Sequence, residues 1–200
     1  MSFPLDMNIE LIKNSFPKYL EKDIERIYRI FNLKSKFEPN GEFTVNINQE
    51  EITIPKRIYV NENQLLKTWL LTKRQKLLVY CFFSRHHSGY VKERCLKKIL
   101  DSKELFVEPF IFQLLGEYVI EIIELIYNNR ESMDKLAMSD FIQENPDFLS
   151  LTYQRIISYW DCYYRSSYPK YRRNVKQKGK SIIDYPGLKM LKYLKTTVIK

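Results

Sequence analysis

The apolar residues of this chain recur at spacings of three and four over most of its length, and that period restricts the fold more than any other feature. Leu20, Ile24, Ile27 and Phe31 fall four, three and four apart, with Lys22, Asp23, Glu25, Arg26 and Arg29 on the remaining sides. Such a row gives an α-helix one apolar stripe and leaves the rest polar. Pro17 suits its first turn. The period returns near residue 63 and persists. Thr72 and Gln75 have capping-box spacing, in which a hydroxyl and an amide each satisfy an orphan backbone donor, so a helix is expected from there to about Arg85. Ser88 and Gly89 break it and open another over 90–100, with Val91, Cys95, Leu96 and Ile99 on one face. A third is expected from Pro109 to about Asn128, and a shorter one within 129–145. After Asn145-Pro146-Asp147, a cap with a first-turn proline and a dipole-favourable acid, comes another with the stripe Leu149, Tyr153, Ile156, Trp160 and Tyr163.

One segment has a different period. Phe43, Val45 and Ile47 alternate with polar residues, Asn48 to Glu51 read as a turn, and Ile52 and Ile54 alternate again until Pro55. Alternation of two is the mark of a half-buried strand, so residues 42–60 are expected to form a small β-hairpin with an edge-type second strand. The expected fold is mainly α, built of antiparallel helical hairpins with this one N-terminal β-hairpin. Residues 1–164 read as a single helical domain and 165–200 as an extension, in which Pro186 to Leu194 suits one more short helix, with Leu188, Leu191 and Leu194 on one side.

Val91, Lys92, Cys95 and Ile99 occupy the places that a valine, a basic residue, a small residue and an aliphatic residue hold in the second helix of a HEAT-type repeat. With the helix before it and the tight connection at His87-Ser88-Gly89, the segment 73–100 resembles one such repeat pair. Lys92 stands where the repeat has Arg and Cys95 where it has Ala. The resemblance implies right-handed superhelical stacking, a surface for protein partners and no catalysis.

Charge is distributed unevenly. From Arg165 to Lys200 there are eleven Lys or Arg and one acid, Asp184, for +10; the preceding 164 residues carry 22 basic and 23 acidic side chains, for −1. Arg165, Lys170, Arg172, Arg173, Lys176, Lys178 and Lys180 interleave with tyrosines, the two residue types that neutralise phosphates and stack on bases. They are the candidate polyanion-binding residues, with nucleic acid as the possible partner. Glu117, Glu121 and Glu124 line up on the expected third helix. They read as a solvated face, or as an acidic stripe able to dock the basic extension or a basic partner.

Catalytic and cofactor motifs are missing from the sequence. There is no nucleophile elbow, no phosphate loop and no dinucleotide turn, and five glycines leave little material for one. His86 and His87, the only histidines, have neither each other's direction nor a Cys-x-x-Cys partner for zinc. A glutamate row without a Glu-x-x-His companion does not make a di-iron site. No catalytic residue, metal ligand or cofactor is therefore assigned. Three cysteines in apolar or helical settings, no secretory signal at the start and no apolar run of the ~18 residues a membrane span needs lead to the expectation of a cytoplasmic protein with an unknown protein partner and no membrane contact.

Overall fold

The computed structural model describes residues 5–31, 38–165 and 185–198, and it is mainly helical. Lys170, Arg172, Arg173, Lys176, Lys178 and Lys180 lie outside the described residues. The chain divides into two compact units, Met1–Ile99 and Leu100–Lys200.

In the first unit, α1 (Leu5–Asn14) packs against α2 (Glu21–Phe31), and a 3₁₀ turn at Lys18–Leu20 follows Pro17. The row Leu20, Ile24, Ile27 and Phe31 is buried, as its spacing predicts. Four short strands follow among the described residues. β1 (Glu38–Pro39) pairs antiparallel with β4 (Ile58–Tyr59), and β2 (Glu42–Ile47) with β3 (Glu50–Pro55). Phe43 faces Ile54 and Val45 faces Ile52, so the alternating apolar side chains fall on one buried face. The turn is tighter than the sequence indicates. Only Asn48 and Gln49 form it, at φ 51° and 64°, and Glu50 already pairs with Ile47. Two left-handed residues match the twist of the flanking strands, and asparagine tolerates that region better than most residues.

A nine-residue 3₁₀ segment, Glu62–Leu70, leads into α3 (Lys73–Phe83). Thr72 and Gln75 form the expected capping box, with the Gln75 N–H donating to the hydroxyl and the Thr72 N–H donating to the amide oxygen. α3 and α4 (Gly89–Ile99) pack together as a helix pair, with Val91, Cys95, Leu96 and Ile99 inward. The connection between them is tied to β4. The Ile58 N–H donates to Arg85 O at 2.8 Å, the His87 N–H donates to Ile58 O at 3.0 Å, and the buried Arg85 donates from Nη2 to Lys56 O at 2.8 Å.

The second unit departs further from the sequence reading. The expected third helix is two helices, α5 (Glu108–Leu115) and α6 (Ile120–Asn128). Gly116 ends the first; its α-carbon lies where an added Cβ would meet Thr152 Cγ2 at 3.4 Å and Arg155 Cδ at 3.5 Å. α7 (Lys135–Glu144) is capped by Asp134, whose carboxylate accepts from the Leu136 and Ala137 N–H groups. Asn145 does not cap α8 (Pro146–Tyr159) with its side chain; its Nδ2 donates back to Phe141 O at 2.9 Å and closes α7.

The inner stripe of α8 is also displaced. Phe148, Thr152, Ile156, Trp160 and Tyr164 are buried, whereas Tyr153 and Tyr163 are exposed. A row with a strict spacing of four drifts around a helix of 3.6 residues per turn. Here the last turn, Trp160–Tyr164, is a wider π turn closed by Arg165 N–H to Trp160 O at 2.9 Å, and it keeps the row inward. Thr152 can join the row because its hydroxyl donates to Phe148 O.

The chain returns at Tyr185, whose ring lies 5.5 Å from that of Tyr164, and enters α9 (Pro186–Tyr193). α9 packs on α6 and α8. Gly187, Met190, Leu191 and Leu194 are buried at i, i+3, i+4 and i+7, while Leu188 is only half-buried. What reads as the end of a basic extension is therefore part of the second unit's core. Among the described residues no helix is long and apolar enough to cross a membrane.

Candidate functional site

The 3₁₀ segment of the first unit has a geometry that a search at the α-helical period does not register. In a 3₁₀ helix, side chains three apart eclipse one another. Asn63, Leu66 and Trp69 thus form one column, and all three are exposed, Leu66 and Trp69 to 75% each. Leu70 beside them is exposed as well. Isolated exposed apolar residues are ordinary, but a leucine and a tryptophan stacked along one face are not. The segment is fastened from behind. Asn61 caps it by accepting from the Asn63 N–H, and Lys67 Nζ reaches the carbonyls of Ile30 and Phe31 at the end of α2. The column is therefore presented on a fixed support.

Beside this column lies a cleft of about 410 Å³. Leu65 and Leu66 form one wall, Tyr80 of α3 and Cys95 of α4 contribute apolar surface, and Arg94 and Lys98 line the α4 side. Those two cations are four apart and share a helix face. Glu62 reaches across to Arg94 at 3.1 Å, an ion pair with both side chains more than half exposed. Burial pushes the Cys95 thiol up to about 12, so it is a neutral packing group and not a nucleophile. A second cleft, of about 300 Å³, lies between α1, α2 and β3, and several of its charged groups are paired within the unit: Lys13 binds Glu21 and Glu25, and Glu50 accepts from the Lys18 N–H.

The histidines serve the fold. The Ser88 N–H donates to His86 Nδ1 at 3.0 Å, which places the ring proton on Nε2, and Nε2 donates to Val60 O at 2.8 Å. Both nitrogens are used, and burial pulls the pKa below the ordinary imidazole range. His87 stacks on Tyr59 with ring centroids 5.0 Å apart. Cys81 and Cys95 are buried. Among the described residues no three His, Cys, Asp or Glu side chains gather as a metal-holding group.

In the second unit the glutamates do not form a single row. Glu117 lies in the break between α5 and α6, and only Glu121 and Glu124 share a helix. Gln113, on α5 one turn before Glu117, is buried and accepts from Arg155 Nη1 at 3.1 Å. Of the basic residues near the C-terminus, Arg165 pairs with Asp161 at 2.7 Å, Lys189 lies over the ring of Tyr127, and Lys195 over that of Tyr153. Of the candidate polyanion-binding residues, Arg165 alone lies among the described residues, and its partner is Asp161. Where the chain leaves the described residues at Arg165, three tyrosines meet. Tyr118 lies 6.1 Å from Tyr159 and 5.6 Å from Tyr163, and those two are 6.0 Å apart, ring centre to ring centre. Tyr118 comes from the α5–α6 break, held by the Tyr164 hydroxyl donating to its carbonyl, and so joins a cluster that linear sequence does not suggest.

Comparison with family models, with curated proteins and with solved structures gives no match to this chain.

Proposed function

We propose that this protein is a non-catalytic interaction module of helical-repeat type, and that a protein partner docks on its first unit along Leu66 and Trp69. The observation that carries this reading is the outward column on the 3₁₀ segment, two large apolar side chains each 75% exposed, of which Leu66 lines the neighbouring cleft. The α3–α4 pair, with its resemblance to a HEAT-type repeat, supplies the other wall. Anchors of this kind, aromatic above all, carry most of the energy in protein interfaces. Replacing both Leu66 and Trp69 with serine is expected to leave thermal stability within ~1 kcal/mol, since exposed side chains contribute little to folding. Cross-linking from a photoreactive residue at position 63 in the native extract, followed by identification, reads the effect: a defined protein captured when Leu66 and Trp69 are present is lost when both are serine. Retention of the same protein by the double variant refutes docking at this surface.

A second reading, polyanion binding through Arg165, Lys170, Arg172, Arg173, Lys176, Lys178 and Lys180, is favoured by the tyrosine cluster beside Arg165. Rings at the root of a basic stretch supply stacking next to phosphate neutralisation. Changing the six basic residues from Lys170 to Lys180 to glutamine in the full chain is expected to weaken binding of a single-stranded oligonucleotide at least tenfold. It also flattens the salt dependence, by about 0.7 in log–log slope for each phosphate that is no longer neutralised. An unmodified chain that binds no oligonucleotide at low salt eliminates this reading.

A further inference from the structure

The cleft beside Leu66 has a charge pattern that specifies its occupant. Its apolar surface comes from Leu65, Leu66, Tyr80 and Cys95, and its cationic side from Arg94 and Lys98. The lining carries two cations against one carboxylate, Glu62. The Glu62–Arg94 pair is exposed on both sides, and such pairs hold weakly because water competes for both partners. An arginine guanidinium presents a planar fork that a second carboxylate can take in bidentate fashion, so an incoming acid replaces Glu62 without loss of hydrogen bonds at Arg94. Once Glu62 swings away, Arg94 and Lys98 form a pair of cations one helical turn apart, along the side of an apolar trough.

The geometry points to an acidic amphipathic peptide segment as the occupant of this cleft, an inference that rests on the docking reading above. The partner's apolar face lies along Leu66 and Trp69 and inserts an anchor against Tyr80. Its carboxylates, one turn apart, meet Arg94 and Lys98. Glu62 acts as an internal stand-in for the partner's acid, keeping Arg94 paired and oriented while the cleft is empty. Helix-in-groove recognition uses this combination of apolar anchors and flanking charge. Arginine and lysine at the rim select against basic or neutral helices of the same apolar pattern by like-charge repulsion or an unpaired cation.

Three synthetic peptides of about 20 residues, long enough to form helix, test this on the full chain. One carries leucines at i, i+3, i+4 and i+7 flanked by glutamates. The second has the same composition in scrambled order, and the third has lysines in place of the glutamates. The chain has two tryptophans, and Trp69 is exposed while Trp160 is buried, so occupation reports as a blue shift of Trp69 emission that is absent in Trp69→Phe. The acidic amphipathic peptide is expected to give that shift. Arg94→Glu with Lys98→Glu is expected to weaken its binding more than tenfold with an unchanged far-UV spectrum, and Glu62→Gln to tighten it about two- to fivefold by removing the internal competitor. Equal binding by the scrambled peptide, or indifference to the charge reversal, overturns the inference. If the lysine peptide shifts Trp69 and the glutamate peptide does not, docking at this surface stands and the acidic partner is wrong. If no amphipathic peptide moves Trp69, both readings fall.

Discussion

Ending the chain after Arg165 is expected to unfold the second unit rather than merely remove a charged tail. Tyr185, Met190, Leu191, Leu194 and Val198 are all buried, and each belongs to the segment that such a truncation deletes. Full burial of a large apolar side chain contributes about 1.5–3 kcal/mol. Five of them approach the ~5–15 kcal/mol that holds a whole domain together, even when allowance is made for burial already present in the unfolded chain. The faces of α6 and α8 that α9 covers would also be left in water. Hydrogen exchange resolved along the chain measures this directly: protection within 105–160 is expected to vanish on truncation. Protection unchanged in that range would show that α9 is dispensable. A gentler variant probes the same packing. At Gly187 a Cβ would sit 2.8 Å from Ile156 Cγ2 of the buried α8 row, so Gly187→Ala forces α9 and α8 apart and is expected to cost about 1–3 kcal/mol. The consequence for function is practical. Polyanion binding has to be tested by neutralising side chains within the full chain, because deletion removes charge and structure together.

The parts of this fold legible in the sequence are those where a local pattern and its satisfaction lie close together. The row from Leu20 to Phe31, the Thr72–Gln75 box and the alternation around Val45 and Ile52 each need only a few neighbours to declare themselves. The failures share a cause as well. Gly116 ends a helix inside an apolar run, and the residues beside it, Thr152 and Arg155, belong to α8, which is distant in the chain. The π turn at Trp160 rotates the inner row from Tyr163 to Tyr164, a shift of one residue that no periodic template includes. The Leu66–Trp69 column is hidden for a different reason. Its period is three, and i and i+3 share a face on an α-helix too, so the spacing alone does not tell an outward column from a buried stripe. The basic extension misleads because charge is visible in a sequence and burial is not: Lys189 and Lys195 flank the very side chains that anchor α9.

Replacing Glu108 with glutamine is expected to stabilise the second unit, and by an amount that grows with pH. Glu108 opens α5, where the helix dipole ordinarily favours a carboxylate. Yet it is only 1% exposed, and among the described residues its Oε2 has no hydrogen-bond partner. Burial, with a smaller contribution from the charge of Asp134, pushes its pKa up to about 8. The acid is therefore protonated in the folded protein at neutral pH. In the unfolded chain the same group ionises near its ordinary value of about 4.3. Between those two values the folded state holds a proton that the unfolded state has released, so stability falls as pH rises from about 4.3 to about 8 and levels off above. At 1.36 kcal/mol per unit, the loss is on the order of 4 kcal/mol by pH 7. Glutamine has nearly the shape of the protonated acid and cannot ionise, so the variant escapes this loss. Urea unfolding from pH 4 to 9 is expected to give coincident midpoints for the two proteins at the acid end and a widening gap up to about pH 8. Asp134→Asn keeps a cap for α7 while removing the repelling charge, and is expected to let Glu108 ionise at lower pH and narrow that window. A gap that is constant across the range would show that Glu108 is ionised in the folded protein as readily as in the unfolded one, and that its burial carries no electrostatic cost.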